Sequence, residues 1–388
     1  MKKKFFALFT AMVMVTGLTA CGGGGTEAPA EEGGAAGYTL GTIGPLTGPN
    51  AIYGQAVANG AQIAVDEINA LGGVQFTLRS EDDVADPESA VNAYHNLLDN
   101  GMQVLVSPTT TGSSVEVASH ANTDRVFMLT PSASSPDVTA GKDNVFQVCF
   151  TDPALGELSA DYMAENYPDA TVGILYRSDD AYSTGIRDAF VAEYKELGFA
   201  PAYEGTFTED TSTNFEVQLT GARSAGVDLL FIPIYFQPAS VIMNQANAMG
   251  YTPTYFGVDG LDGLLALENF DTSLAEGAVL MTPFSANSTD DRTVAFVEAY
   301  KAKYDGVEPN QFAADAYDGV YIVKEALEKA GCTPDMTPEE ICEALVGVMH
   351  DMSVDGLTGK GLTWNDNGAV SKEPLVMVIQ DGAYAPVQ

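Results

Sequence analysis

From residue 38 to the end of the chain, short runs of β-branched and aromatic residues alternate with longer stretches whose apolar residues recur every three or four positions. That is the rhythm of parallel strands joined by covering helices, and it commits the chain to an α/β architecture. The strand runs fall at 39–43, 75–80, 104–107, 126–130, 171–176, 228–233, 254–258 and 278–281. The helical stretches fall at 53–71, 88–98, 182–197, 215–224, 238–249, 291–304 and 312–329. In the first of these, Val57, Ala61, Ala64, Val65 and Ile68 share one face, and Gly72-Gly73 ends the segment. Eight strands crowd a single sheet, so the 388 residues are expected to divide into two or three domains, or into two large lobes sharing several crossings.

Composition narrows the function. With 46% hydrophobic and 18% charged residues the chain can bury a sizeable core, which excludes wholesale disorder. Lys and Arg number 17 against 53 Asp and Glu, a formal charge of -36 that repels a polyanion, so nucleic acid is not an expected partner. His95, His120 and His350 are scattered, and neither HExxH nor a Cys-x-x-Cys pair occurs, so no metal site is expected. GxSxG and SxxK are also missing, and Gly356 to Gly361 (GLTGKG) lacks the spacing of a phosphate loop. A metal enzyme and an exported hydrolase are therefore disfavoured, and no cofactor is expected.

The N-terminus reads as an address. Lys2, Lys3 and Lys4 precede an apolar run from Phe5 to Gly17, the pattern of a signal peptide over 1–20. Its 13 residues fall short of the roughly 20 that span a bilayer. Leu18-Thr19-Ala20-Cys21 resembles a bacterial lipoprotein cleavage box, which implies a lipid on Cys21 and a flexible tether over 21–37. Removing 1–20 takes away three Lys and no acid, leaving 14 basic against 53 acidic residues, or -39. Export permits disulfides, and Cys332 and Cys342, ten apart around Thr-Pro-Asp-Met-Thr-Pro, are expected as a bridge contributing about 3 kcal/mol. Cys149, inside Val145 to Phe150, reads as a buried strand thiol.

In open α/β sheets ligands bind where strands end and helices begin. Val104 to Ser107 runs into Pro108-Thr109-Thr110-Thr111-Gly112-Ser113-Ser114, and Phe127 to Thr130 into Pro131-Ser132-Ala133-Ser134-Ser135-Pro136. Such loops offer hydroxyls and free N–H groups to a carboxylate, although helix capping explains each loop taken singly. Tyr182, Tyr235 and Asp259 follow other strands. Asp259 suits an ammonium group or a cap, and the tyrosines suit a pocket wall or ordinary packing.

The order of these pieces resembles the type I periplasmic binding proteins, in particular the Leu/Ile/Val-binding branch that serves ABC importers. The resemblance is carried by Ile43-Gly44-Pro45-Leu46-Thr47-Gly48, Tyr53-Gly54, AVDEINALGG over 64–73, Glu81-Asp82-Asp83 and Asp86-Pro87. It continues through Leu129 to Ser134, Tyr182-Ser183-Thr184-Gly185, Phe256-Gly257-Val258-Asp259-Gly260 and Leu362-Thr363-Trp364-Asn365. It implies two lobes, each a mostly parallel sheet flanked by helices, hinged by three crossovers near Thr151, Thr282 and Leu362. Lobe 1 would hold 38–151 and 283–360, and lobe 2 would hold 152–282 and 361–388.

Carried onto this sequence, the resemblance implies that Thr111 binds a ligand α-carboxylate with help from the backbone around Ser113 and Ser134. The carbonyl of Ser132 and the hydroxyl of Ser134 would meet the ammonium. Asp259, where the family often has Glu, would close over that ammonium from the second lobe. Tyr53, Tyr182, Tyr235 and Phe312 would wall the side chain. The expected function is an amino-acid receptor, for a branched-chain or other apolar residue, anchored as a monomer on the outer face of the bacterial membrane and feeding an ABC permease. A sensor of the same fold, or a receptor for an amide or aromatic acid, are the alternatives.

Overall fold

The computed structural model describes residues 37–387. The signal segment, Cys21 and nearly all of the expected tether lie outside the described residues. Strands β1 (Tyr38–Gly44), β2 (Phe76–Asp82), β3 (Val104–Leu105), β4 (Phe127–Thr130) and β5 (Val145–Gln147) form a parallel sheet in the order β2-β1-β3-β4-β5. Helices α1 (Ala51–Leu71), α2 (Pro87–Asp99) and α3 (Thr111–Asp124) connect them. On α1 the predicted apolar face is almost wholly buried, with Ala61, Ala64 and Ile68 at 0% exposure. A Val or Ile buried in this way contributes about 1.5–3 kcal/mol.

After the first crossing, at Phe150 and Thr151, the chain builds a second sheet. It comprises α4 (Asp152–Asn166), β6 (Val172–Arg177), α5 (Ala181–Glu196), β7 (Tyr203–Phe207), α6 (Glu216–Ser224), β8 (Leu229–Phe231), α7 (Phe236–Ala248), β9 (Thr254–Gly257) and β10 (Val279–Thr282). The chain then returns to the first sheet with α8 (Asp291–Lys303), α9 (Gln311–Ala330) and α10 (Pro338–Met349). Helices α1 and α9 pack so closely that a Cβ on Gly60 would lie 2.0 Å from the Ala313 carbonyl oxygen. Glycine is thus a steric requirement at that crossing.

β11 (Leu375–Gln380) and β12 (Ala383–Pro386) complete the second sheet, antiparallel to their neighbours, in the order β12-β11-β10-β9-β8-β6-β7. All eight expected strand runs carry strands. β5, β7, β11, β12, α3, α4 and α10 are additional.

Two expectations need correction. The segment from 361 onward was expected in the second lobe, but Trp364 Nε1 donates to the Gln147 carbonyl at 2.8 Å and Gln147 N donates to the Gly368 carbonyl at 2.9 Å. These bonds hold the hairpin at 354–370, in which Val354 pairs with Leu362 and Trp364 with Val370, against β5, so the third crossing comes at 372–374. It is pinned by Lys372, whose side chain is 0% exposed and whose Nζ lies 2.5 Å from Asp315 Oδ1 on α9 and 2.7 Å from Thr358 Oγ1. The expected disulfide is also not formed, because Cys332 and Cys342 are free thiols. Cys342 is buried on α10 beside Asn144 and Arg125, whereas Cys332 follows the end of α9 near Tyr38.

Candidate ligand-binding cleft

The first-lobe wall begins with the loop between β3 and α3. Thr109 N–H donates to the Ile43 carbonyl at 3.1 Å, which fixes the loop over the end of β1. Thr110 is the extended cap residue and Thr111 the first residue of α3, so the helix presents its unpaired N–H groups at this point. The loop after β4 is tied down by Thr130, whose Oγ1 donates to the Pro108 carbonyl at 2.7 Å and accepts from Ala133 N at 3.0 Å. Gln147 Nε2 clamps the carbonyls of Ala133 and Ser135 from below.

The second-lobe wall is set by Tyr182 and Asp259. Asp180 caps α5 by accepting from Ser183 N, and Ser183 Oγ donates to the Pro233 carbonyl at 2.7 Å, which orients Tyr182 between them. Tyr182 Oη donates to Asp259 Oδ1 at 2.6 Å, and Gly260 N donates to the same carboxylate oxygen at 2.9 Å and to Tyr182 Oη at 3.0 Å. A side chain at Gly260 would strike both Tyr182 Oη and the Ile234 carbonyl. Tyr235 stacks parallel on Tyr182, with ring centres 5.0 Å apart.

Tyr53 joins the two walls. Its Oη donates to the Gly260 carbonyl at 2.6 Å and accepts from Phe236 N at 3.1 Å, and its ring meets Phe312 edge-on at 4.9 Å. Gln311 N adds a bond to Asp262 Oδ2 at 2.9 Å. The lobes are therefore closed on each other, and a narrow cleft remains between them.

Tyr53, Thr111, Ser132, Tyr182, Tyr235, Asp259 and Phe312, all singled out in the sequence, line this one cleft. Ser113 and Ser134 do not line it. Ser113 Oγ takes a 3.2 Å hydrogen bond from Thr110, while Ser134 is wholly buried with its carbonyl bonded to Asp152 N. Thr109, Thr110 and Gly260 line the cleft and were not picked out as site residues. The run of three threonines was the signal for the first two.

Burial dominates the electrostatics. It pushes the Asp259 carboxyl up to about 6, against the hydrogen bonds from Tyr182 and Gly260, which favour the anion. Burial likewise raises Asp262 to about 7 and Asp315 to about 6, the latter despite Lys372. Tyr182 is held well above its usual range, so it remains a donor. No salt bridge among the described residues engages Asp259. Hydroxyls and helix N–H groups on one wall thus face a carboxylate without a cationic partner on the other, an arrangement suited to a zwitterion.

A family profile described as periplasmic binding protein matches residues 37–383. The Leu/Ile/Val-binding protein BraC3 of Rhizobium johnstonii is 32% identical over 340 residues, 86% of this chain and 89% of that protein. A leucine-, isoleucine-, valine-, threonine- and alanine-binding protein of Pseudomonas aeruginosa is 28% identical over 308 residues, 78% of this chain and 80% of its own length. Among solved structures, the branched-chain amino acid transporter substrate-binding protein LivJ of Streptococcus pneumoniae, in complex with isoleucine, is 28% identical with a TM-score of 0.80. That similarity spans 90% of this chain and 97% of LivJ.

Proposed function

The chain belongs to the periplasmic binding protein family, and from that premise we propose that it is an extracytoplasmic receptor for an apolar α-amino acid, branched-chain above all, which it delivers to an ABC importer permease. The observation that carries this reading is Asp259. It is a buried carboxylate, held by Tyr182 and Gly260, that faces the hydroxyl-lined mouth of α3 across the cleft. The ligand carboxylate would take Thr111 Oγ1 and the first N–H groups of α3. Its ammonium would take Asp259 and the Ser132 carbonyl, and its side chain would lie among Tyr53, Tyr182, Tyr235 and Phe312. The relatives whose names specify leucine, isoleucine and valine support the aliphatic choice. A lipid on Cys21 would keep the monomeric receptor on the outer face of the bacterial cell membrane.

Calorimetric titration of the purified chain with leucine, isoleucine, valine, amides and benzoates tests the proposal. Saturable binding of the aliphatic amino acids is expected, weakened at least ~30-fold in Asp259→Ala, because truncating one partner of a buried charge pair costs about 2 kcal/mol or more. Binding only of carboxylates that lack an ammonium would overturn it.

A further inference from the structure

A second cavity, of about 470 Å³, opens between the lobes beside the second crossing. Its volume lies within the range of small-molecule sites. Ile52 and Ala56 of α1 line it on one side, Leu265 and Phe284 on the other, with Tyr300 and Tyr304 of α8 and its C-terminal end adding aromatic surface. The wall it shares with the first cleft is α1 and the turn at 259–262, which the hydrogen bond from Tyr53 to Gly260 joins. Asp259 faces the first cleft, and Asp262 lines the second.

The charge of this cavity is one-sided. Asp262 and Glu308 line it, and no Lys, Arg or His does. Glu308 is already paired with Lys301 at 2.7 Å. Asp262 is 7% exposed, accepts the Gln311 N–H through Oδ2 at 2.9 Å, with the Gly263 N–H beside it, and has no salt-bridge partner among the described residues. In its ionised form a carboxylate so enclosed is costly unless a cation reaches it, and tyrosine faces attract cations as well: Lys303 Nζ already lies 6.0 Å from the centre of the Tyr304 ring, which leaves Tyr300 for a ligand.

We propose that this interlobe cavity is a second binding site, for a small organic ammonium ion with an apolar or aromatic body and no carboxylate of its own. Because both lobes line the cavity in the closed form, its occupant stabilises closure. By reciprocity it then tightens binding in the first cleft, and that coupling rests on the amino-acid reading above.

The test titrates the full chain with 2-phenylethylammonium and with 3-phenylpropionate, its anionic counterpart, with and without saturating leucine. The ammonium is expected to bind, two- to tenfold tighter when leucine is present, and the carboxylate is not. Asp262→Asn keeps an acceptor for Gln311 N–H and should weaken the ammonium at least tenfold. Ala266→Trp, at an exposed position on the cavity wall, should abolish its binding while leaving that of leucine. No binding of the ammonium, its displacement by leucine, or indifference to both variants would overturn the proposal. Leucine binding without ammonium binding removes only this second site; ammonium binding without amino-acid binding removes the receptor reading and the coupling.

Discussion

At the scale of single residues the cleft is governed by one carboxylate and the phenol that holds it. Tyr182→Phe removes the 2.6 Å hydrogen bond to Asp259. A hydrogen bond to a charged group contributes about 1.5–3 kcal/mol, so leucine affinity should fall by roughly 10- to 150-fold. Titration calorimetry on the variant checks this, and unchanged affinity would remove Asp259 from the ammonium site. The pH dependence has a definite sign. The folded pKa of Asp259, about 6, lies above its ordinary 3.8, so its stabilisation of the ligand-free fold is full below the lower value and is lost as pH rises through the upper. An ammonium ligand requires the ionised form. Binding should therefore release a proton near pH 6, with affinity falling about tenfold per pH unit below it. Asp262 and Asp315 titrate in the same window, so the decisive comparison is proton release in Asp259→Asn. Thr111, Ser132, Tyr182, Tyr235 and Asp259 were legible at strand ends, where topology dictates a crevice, whereas Tyr53 on α1 and Phe312 on α9 came only from the family resemblance. Lys372 and Asp315 were not, since 57 residues separate them and no local pattern announces a buried pair.

At the scale of elements, the third crossing hangs on that pair. Lys372→Met leaves Asp315 buried without its cation, and breaking a buried pair in this way costs about 3–5 kcal/mol. Denaturant unfolding should show the loss, and Lys372→Met with Asp315→Leu should recover most of it. Recovery that fails would mean that Lys372 matters through packing instead. The missed elements had physical reasons to be missed. α3 is rich in Ser, Thr and Asn, poor helix formers that compete for backbone groups, so its start read as a capping loop. β7 carries a Gly and a Glu that blur alternation. α10 was readable, because Thr337 and Glu340 form a capping box, but the Cys332–Cys342 spacing drew attention to a bridge there.

At the scale of the whole molecule, closure rests on few bonds. Tyr53 contributes two, to Gly260 and Phe236, and Gln311 a third. Tyr53→Phe should shift the ligand-free population toward separated lobes by about 1–3 kcal/mol. Small-angle scattering should record a larger radius of gyration that leucine restores. An unchanged radius would mean that aromatic packing alone holds the lobes. The two-lobed α/β plan was legible from strand count and rhythm, but the partition of the last residues was not. It depends on which sheet edge the hairpin at 354–370 meets.

The position of β11 and β12 has a consequence in time. β10, with Val279, Leu280 and Met281 all buried, has its outer edge covered only by β11, made almost a hundred residues later in the chain. Until synthesis reaches Gln380 the second sheet ends in an apolar, unpaired strand, a template for pairing with another molecule. A chain that stops before Leu375 should therefore associate through this edge, and the last two strands of the polypeptide decide whether β10 is left open to another molecule.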